Sequence, residues 1–234
     1  LSFVYIYSAN GANNIFGFPL DDPWIHLTFA KNLVEYGSFS YFKNEMATAG
    51  STSPIYTLLL AVGFLITSNE MILSYVLGMA FFVLSSVFFY KLSSFEFAKE
   101  NVYALLASVI FIVDKWMNFV SVSGMETTMF IFILVATAYF YRQKKVIPFG
   151  IFLSLIMWTR PDGLAFIGAL AVDFMIQKHL SKSGTTIKIF SKQDFIKIGI
   201  IASIFLAFYF IMNLSLSGSL LPNTYNAKLT YYAP

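Results

Sequence analysis

The chain has 234 residues, of which 58% are hydrophobic and only 12% charged, and it carries a net charge of +3. A soluble domain has about a quarter charged residues, so too little polar surface is available to cover a globule in water, and lipid is the expected solvent for much of it. With no cysteine, disulfides, thiolate metal sites and cysteine nucleophiles are excluded, and no basic stripe interleaved with aromatics points to nucleic acid.

The chain opens on Leu1 to Tyr7, an apolar run too short to span. It reads as the end of a truncated first span over 1–8. An outer loop with juxtamembrane helices follows over 9–70. Within it, Asp21-Asp22-Pro23-Trp24-Ile25-His26 starts a helix, with Asp22 as the expected N-cap and Pro23 at the first helical position. Ile25, Phe29, Leu33 and Tyr36 form one apolar stripe, and His26, Lys31, Asn32 and Glu35 lie off it. That pattern suits a helix lying flat on a membrane surface, with His26 a hydrogen-bonded surface histidine. Two adjacent carboxylates repel, which suits one of them to act as a base; Asp21 is the one not consumed by capping. The turn-rich stretch Tyr41 to Ser53 has small residues that would let a sugar approach the backbone. Pro54 then opens a second helix over 54–67, too short to cross and expected at the outer face.

Membrane spans fill 71–214. An apolar helix needs about 20 residues to cross a core of about 30 Å, and 71–91, 102–118, 126–142, 161–177 and 196–214 meet that need, with a shorter apolar helix at 146–158. If 71–91 runs inward, ten of the 15 basic residues fall in cytoplasmic segments: Lys91, Lys99, Arg142, Lys144, Lys145, Lys178, Lys182, Lys188, Lys192 and Lys197. The polar segments 9–53, 115–126, 159–163 and 215–234 then share the outer face. Glu126 opens an apolar span, where the helix dipole favours a carboxylate and a ligand could also meet it. The helix before Arg160 covers only about 20 Å at 1.5 Å per residue, which sinks Arg160 below the outer surface. A charge there lines a polar cavity, neutralised by Asp162 or free to pair with a lipid phosphate. The outer stretch 215–234 holds Asn223, Tyr225 and Lys228, and Lys228 beside Arg160 would make a two-cation phosphate site. The expected fold is therefore all-α, a single polytopic transmembrane helical bundle over 1–234, forming the N-terminal part of a longer module.

Taken in order, Asp21-Asp22-x-x-Ile25, Thr52-Ser53-Pro54-x-Tyr56-Thr57, Ser123-Gly124-x-Glu126-Thr127, Arg160-Pro161-Asp162-Gly163-Leu164 and Leu221-Pro222-Asn223-Thr224-x-x-x-Lys228 resemble the GT-C membrane glycosyltransferases. Within that superfamily the pattern is most similar to the terminal arabinofuranosyltransferase group. It is more distantly similar to protein O-mannosyltransferases and lipid A aminoarabinose transferases. The resemblance implies a multi-pass enzyme of the cell membrane that moves a sugar from a polyprenyl-phosphate donor to an extracytoplasmic glycan, lipid or protein, by inverting displacement. By position in the motifs, Asp21 matches the family's catalytic carboxylate and Asp22 its acidic neighbour. Arg160 and Lys228 match basic positions suited to the donor phosphate, and Glu126 matches the acidic Gly-x-Glu position. Glu126, His26, Asn223 and Tyr225 are the candidates for contact with sugar or acceptor. The loop departs from the family pattern Gly-Glu-x-Val-Glu-Gly, since Asn44 to Gly50 lacks the second Glu. No cofactor is required; a divalent metal, if one binds, would sit on Asp21, Asp22 and His26. The rival function is a transporter or flippase of lipid-linked sugars, against which stand helix interiors nearly free of charge, Asp173 apart, and the lack of an internal repeat.

Overall fold

The computed structural model describes residues 1–13, 17–43, 45–97, 101–182 and 189–223. Among these residues all regular structure is helical. In chain order the helices are α1 (Ser2–Asn13), α2 (Asp22–Tyr36), α3 (Pro54–Phe64), α4 (Glu70–Glu96), α5 (Asn101–Val113), α6 (Lys115–Ser121), α7 (Thr127–Gln143), α8 (Val146–Thr159), α9 (Leu164–Lys182) and α10 (Lys192–Ser217). A 3-10 turn over Pro161–Gly163 separates α8 from α9.

Among the described residues, three stretches are each long and apolar enough to cross a membrane: α4, the 3-10 turn with α9, and α10. At 1.5 Å per residue α4 covers about 40 Å, while α7 covers about 25 Å and α8 about 21 Å. The expected span over 102–118 is broken: α5 and α6 meet at a bend of 57°. Asp114 explains the break, because its carboxylate accepts the backbone N–H groups of Trp116 (3.0 Å) and Met117 (2.9 Å) and caps a new helix there. The segment expected as 54–67 is the helix α3 of 11 residues, about 17 Å long, with α4 starting six residues after it ends. The helix begun by the opening apolar run also extends further than expected, through the polar residues up to Asn13, as α1, whose Ser2 hydroxyl donates to Asn118 of α6 at 3.0 Å.

Helices α4, α7, α8 and α10 lie side by side, with α2 and α3 packed across one end. One apolar core runs through five helices: Leu27 and Ala30 of α2, Tyr56 and Leu60 of α3, Leu73 of α4, Met129 and Ile133 of α7, and Ile156 of α8. Outward faces of α9 and α10, such as Val172, Met175, Ile200, Ile204 and Phe208, stay exposed. Apolar surface of that extent suits a lipid environment.

The two ends of the bundle differ in chemistry. At one end Arg142 pairs with Glu96 through two nitrogens (2.5 and 2.8 Å), and Lys144 donates to Gln177 at 2.9 Å. Lys144 also lies over the rings of Tyr141 and Phe190 (4.2 and 4.9 Å), and Lys91, Lys145, Lys178, Lys192 and Lys197 belong to helix termini at that end. The opposite end holds the starts of α2, α3 and α7 and the ends of α8 and α10, and carries the polar motifs.

Candidate functional site

Three of the motif residues meet at this polar end. His26 projects from the second turn of α2, Glu126 precedes the first residue of α7, and Arg160 lies at the break between α8 and the 3-10 turn. The His26 Nε2 is 3.2 Å from Glu126 Oε2, and Arg160 Nη1 is 3.5 Å from Glu126 Oε1. His26 and Glu126 are buried, with 2% and 3% of their side-chain surface exposed, whereas Arg160 keeps 32%. The Nε2–Oε2 contact is close but not aligned as a hydrogen bond, so Oε2 has no aligned donor. Burial alone would raise the Glu126 pKa; the His26 contact, a backbone hydrogen bond and the charge of Arg160 outweigh it, and the net shift is downward.

His26 is fixed from behind. Its Nδ1 faces the hydroxyls of Ser51 (3.1 Å) and Thr57 (3.2 Å), and these two hydroxyls bond each other at 2.7 Å. With Nε2–H turned to the carboxylate, Nδ1 accepts from a hydroxyl. Tyr56 packs edge-on against the imidazole and donates its hydroxyl to the Gly124 carbonyl at 3.0 Å, two residues ahead of Glu126. Gly124 has φ +79°, and a Cβ there would lie 2.6 Å from the Phe18 ring. The loop over 123–126 is therefore shaped by Phe18, α2 and α3 together.

The surface expectation for α2 is corrected by this arrangement. Its buried face is Pro23, His26, Leu27, Phe29, Ala30 and Asn32, and Tyr36 is exposed. Polar residues turn inward because they find partners: His26 as above, and Asn32 through donation to the carbonyls of Ser40 (2.9 Å) and Tyr41 (3.0 Å). The N-cap position belongs to Asp21, not Asp22, and the Asp21 side chain makes no capping bond. Both carboxylates are exposed, and Asp22 stands one turn, about 6 Å of helical rise, before His26.

Arg160 faces two carboxylates. Its Nε and Nη2 donate to Asp162 Oδ2 (3.1 and 2.7 Å), and Asp162 is 63% exposed. The expected neutralising pair is thus formed on the outward edge of the guanidinium, with Glu126 on the buried edge.

Asn223 lies elsewhere at the same end: it donates to Thr48 Oγ1 at 2.7 Å and its backbone N–H to the Ala49 carbonyl at 3.2 Å, while Ala49 N–H donates to Ser217 Oγ at 2.7 Å. It ties the exit of α10 to the first loop. Tyr225 and Lys228 lie outside the described residues. Among the described residues no three His, Asp or Glu side chains gather to hold a metal. Both ring nitrogens of His26 face protein groups, so His26 does not join Asp21 and Asp22 as a ligand set here. The sequence reading missed Ser51, Tyr56 and Thr57 as supports of His26, although Pro23, Leu27 and Ala30 share its helical face and mark that face as buried.

Fold and site together define an all-helical chain with membrane-length apolar helices and a buried polar cluster at one end of its bundle. No family model, curated protein or solved structure matches it.

Proposed function

We propose that the protein is a multi-pass membrane glycosyltransferase of the GT-C type. It takes a sugar from a polyprenyl-phosphate donor and places it on an acceptor at the extracytoplasmic face of the cell membrane. The observation that carries this reading is the contact chain His26–Glu126–Arg160, which joins three polar segments at one end of the bundle. Its depth supports a lipid-linked substrate: α7 and α8, at about 25 and 21 Å, are shorter than a hydrocarbon core of about 30 Å. The basic residues at the opposite end favour a cytoplasmic location for that end.

In this mechanism Asp21 takes the proton of the acceptor hydroxyl as that oxygen attacks the anomeric carbon. The bond from the anomeric carbon to the phosphate oxygen breaks, and its electron pair leaves with polyprenyl phosphate. A single displacement inverts the anomeric centre. Arg160 stabilises the charge gathering on the phosphate. Because Asp162 holds the outward edge of the guanidinium, the phosphate has to take over that edge. Lys228 is the second cation in this scheme, on the strength of the motif alone.

The test is Asp21→Asn, assayed by release of polyprenyl phosphate from a labelled donor in reconstituted membranes. Loss of a general base lowers turnover by about 10²–10⁴-fold, with expression and insertion unchanged. Turnover near that of the wild type would remove Asp21 from the mechanism.

A further inference from the structure

We propose that His26 and Glu126 are positioning residues, forming a buried strut that aims the Arg160 guanidinium at the donor phosphate, rather than contacts for sugar or acceptor. The inference rests on the donor reading above. Exposures of 2% and 3% put both side chains behind the surface a ligand meets, while Arg160, at 32%, reaches it. The strut is continuous: the hydroxyls of Ser51 and Thr57 hold Nδ1, Nε2 abuts Glu126 Oε2, and Glu126 Oε1 faces Nη1 of Arg160. Its far end is anchored twice more, by the Tyr56 hydrogen bond to Gly124 and by the Arg160 guanidinium over the Phe130 ring at 5.7 Å. Arg160 itself sits between the end of α8 and the 3-10 turn that opens at Pro161, in extended backbone where no regular helix fixes its direction. Without the buried carboxylate, the exposed Asp162 would be the one carboxylate left to orient the guanidinium beside the Phe130 ring, and Asp162 holds the edge the phosphate needs.

A simple Glu126→Gln exchange tests this poorly, because removing a carboxylate beside Arg160 favours an anion whatever the positioning. Charge-preserving variants avoid the conflict. Asn at position 26 keeps a polar atom near the place of Nδ1 and loses the donor towards Glu126; Gln keeps a donor near the place of Nε2. Glu126→Asp retracts the carboxylate by one methylene. The probe is polyprenyl phosphate without sugar, titrated against the purified protein in nanodiscs, with thermal unfolding run in parallel to show that each variant is folded.

His26→Asn and Glu126→Asp should each weaken binding about tenfold, the scale of losing one close polar contact to a buried charged group. His26→Gln should recover affinity to within about threefold of wild type. In an Arg160→Ala background none of the three should change affinity further, which a general loss of stability would not reproduce. The inference is overturned if His26→Asn binds as wild type does and His26→Gln does not, since the hydroxyl pair would then be the partner that matters. It is equally overturned if Glu126→Asp binds bare polyprenyl phosphate normally but the sugar-loaded donor weakly, since Glu126 would then touch the sugar. A wild-type protein that binds no polyprenyl phosphate removes the donor reading and the strut together. A wild type that binds while all variants are indifferent removes the strut alone.

Discussion

Gly124→Ala probes the loop on which the polar cluster depends. Gly124 has φ +79°, and an added Cβ would lie 2.6 and 2.7 Å from two carbons of the Phe18 ring. Carbon atoms in ordinary contact sit about 3.5–4.0 Å apart, so the overlap is about 1 Å. The left-handed backbone costs an alanine about 1–2 kcal/mol, and overpacking adds about 1–3 kcal/mol. Phe18 cannot swing away freely, because it packs edge-on against Trp24 and Tyr75, with ring centroids at 5.2 and 5.8 Å. The expected loss is therefore about 2–5 kcal/mol, measured by reversible unfolding in mixed detergent micelles. In a Phe18→Ala background the overlap vanishes and the backbone cost stays, so the same exchange should then cost about 1–2 kcal/mol. Gly124→Ala should also displace Glu126, two residues on, and, under the donor reading proposed above, weaken binding of polyprenyl phosphate. A variant as stable as wild type, or a cost unchanged by removing Phe18, would refute the packing of this loop.

The pH dependence of Glu126 gives another expectation. Its folded-state pKa lies below the ordinary value of 4.5, so the folded state binds the proton less readily than the unfolded chain. The ionised carboxylate thus contributes stability above pH 4.5 that is lost as pH falls through the folded-state value. Unfolding midpoints of wild type and Glu126→Gln should converge as pH drops below that value; a gap independent of pH would contradict the downward shift. Two glycines should respond with opposite signs. A Cβ on Gly78 of α4 would run into the backbone carbonyl of Ser121, which cannot rotate away, whereas one on Gly168 of α9 would meet nothing within 4 Å. Gly78→Ala should destabilise by about 1–3 kcal/mol. Gly168→Ala should stabilise by about 0.5–1 kcal/mol through helix propensity, and thermal scans of the two variants side by side read the difference.

Hydropathy made the long helices α4, α9 and α10 legible, because lipid-length apolar runs with few charges have no other stable home. The same pattern made the polar segments legible as connections between them, and their basic counterparts as a separate set. Breaks were harder to read. The apolar run over 102–118 carries no warning in its hydropathy, and only the side chain of Asp114, which caps α6 through two backbone N–H groups, splits it. The amphipathic reading of α2 failed for a related reason: a stripe drawn from hydrophobicity assumes that polar residues face outward. His26 and Asn32 instead turn inward to partners that lie far along the chain or in the next loop.

By itself, the sequence determined that the chain is helical, that lipid suits most of its surface, and which short polar stretches were free to carry chemistry. Each of those properties is local, set by composition and spacing within one segment. Only the tertiary structure decided which of those stretches touch. His26 and Glu126 are 100 residues apart, and their contact at 3.2 Å depends on how α2 and α3 cap the short helices α7 and α8. It also decided depth, separating the exposed Asp21 and Asp22 from the buried His26 and Glu126, because burial is a property of the packed bundle and not of any one residue.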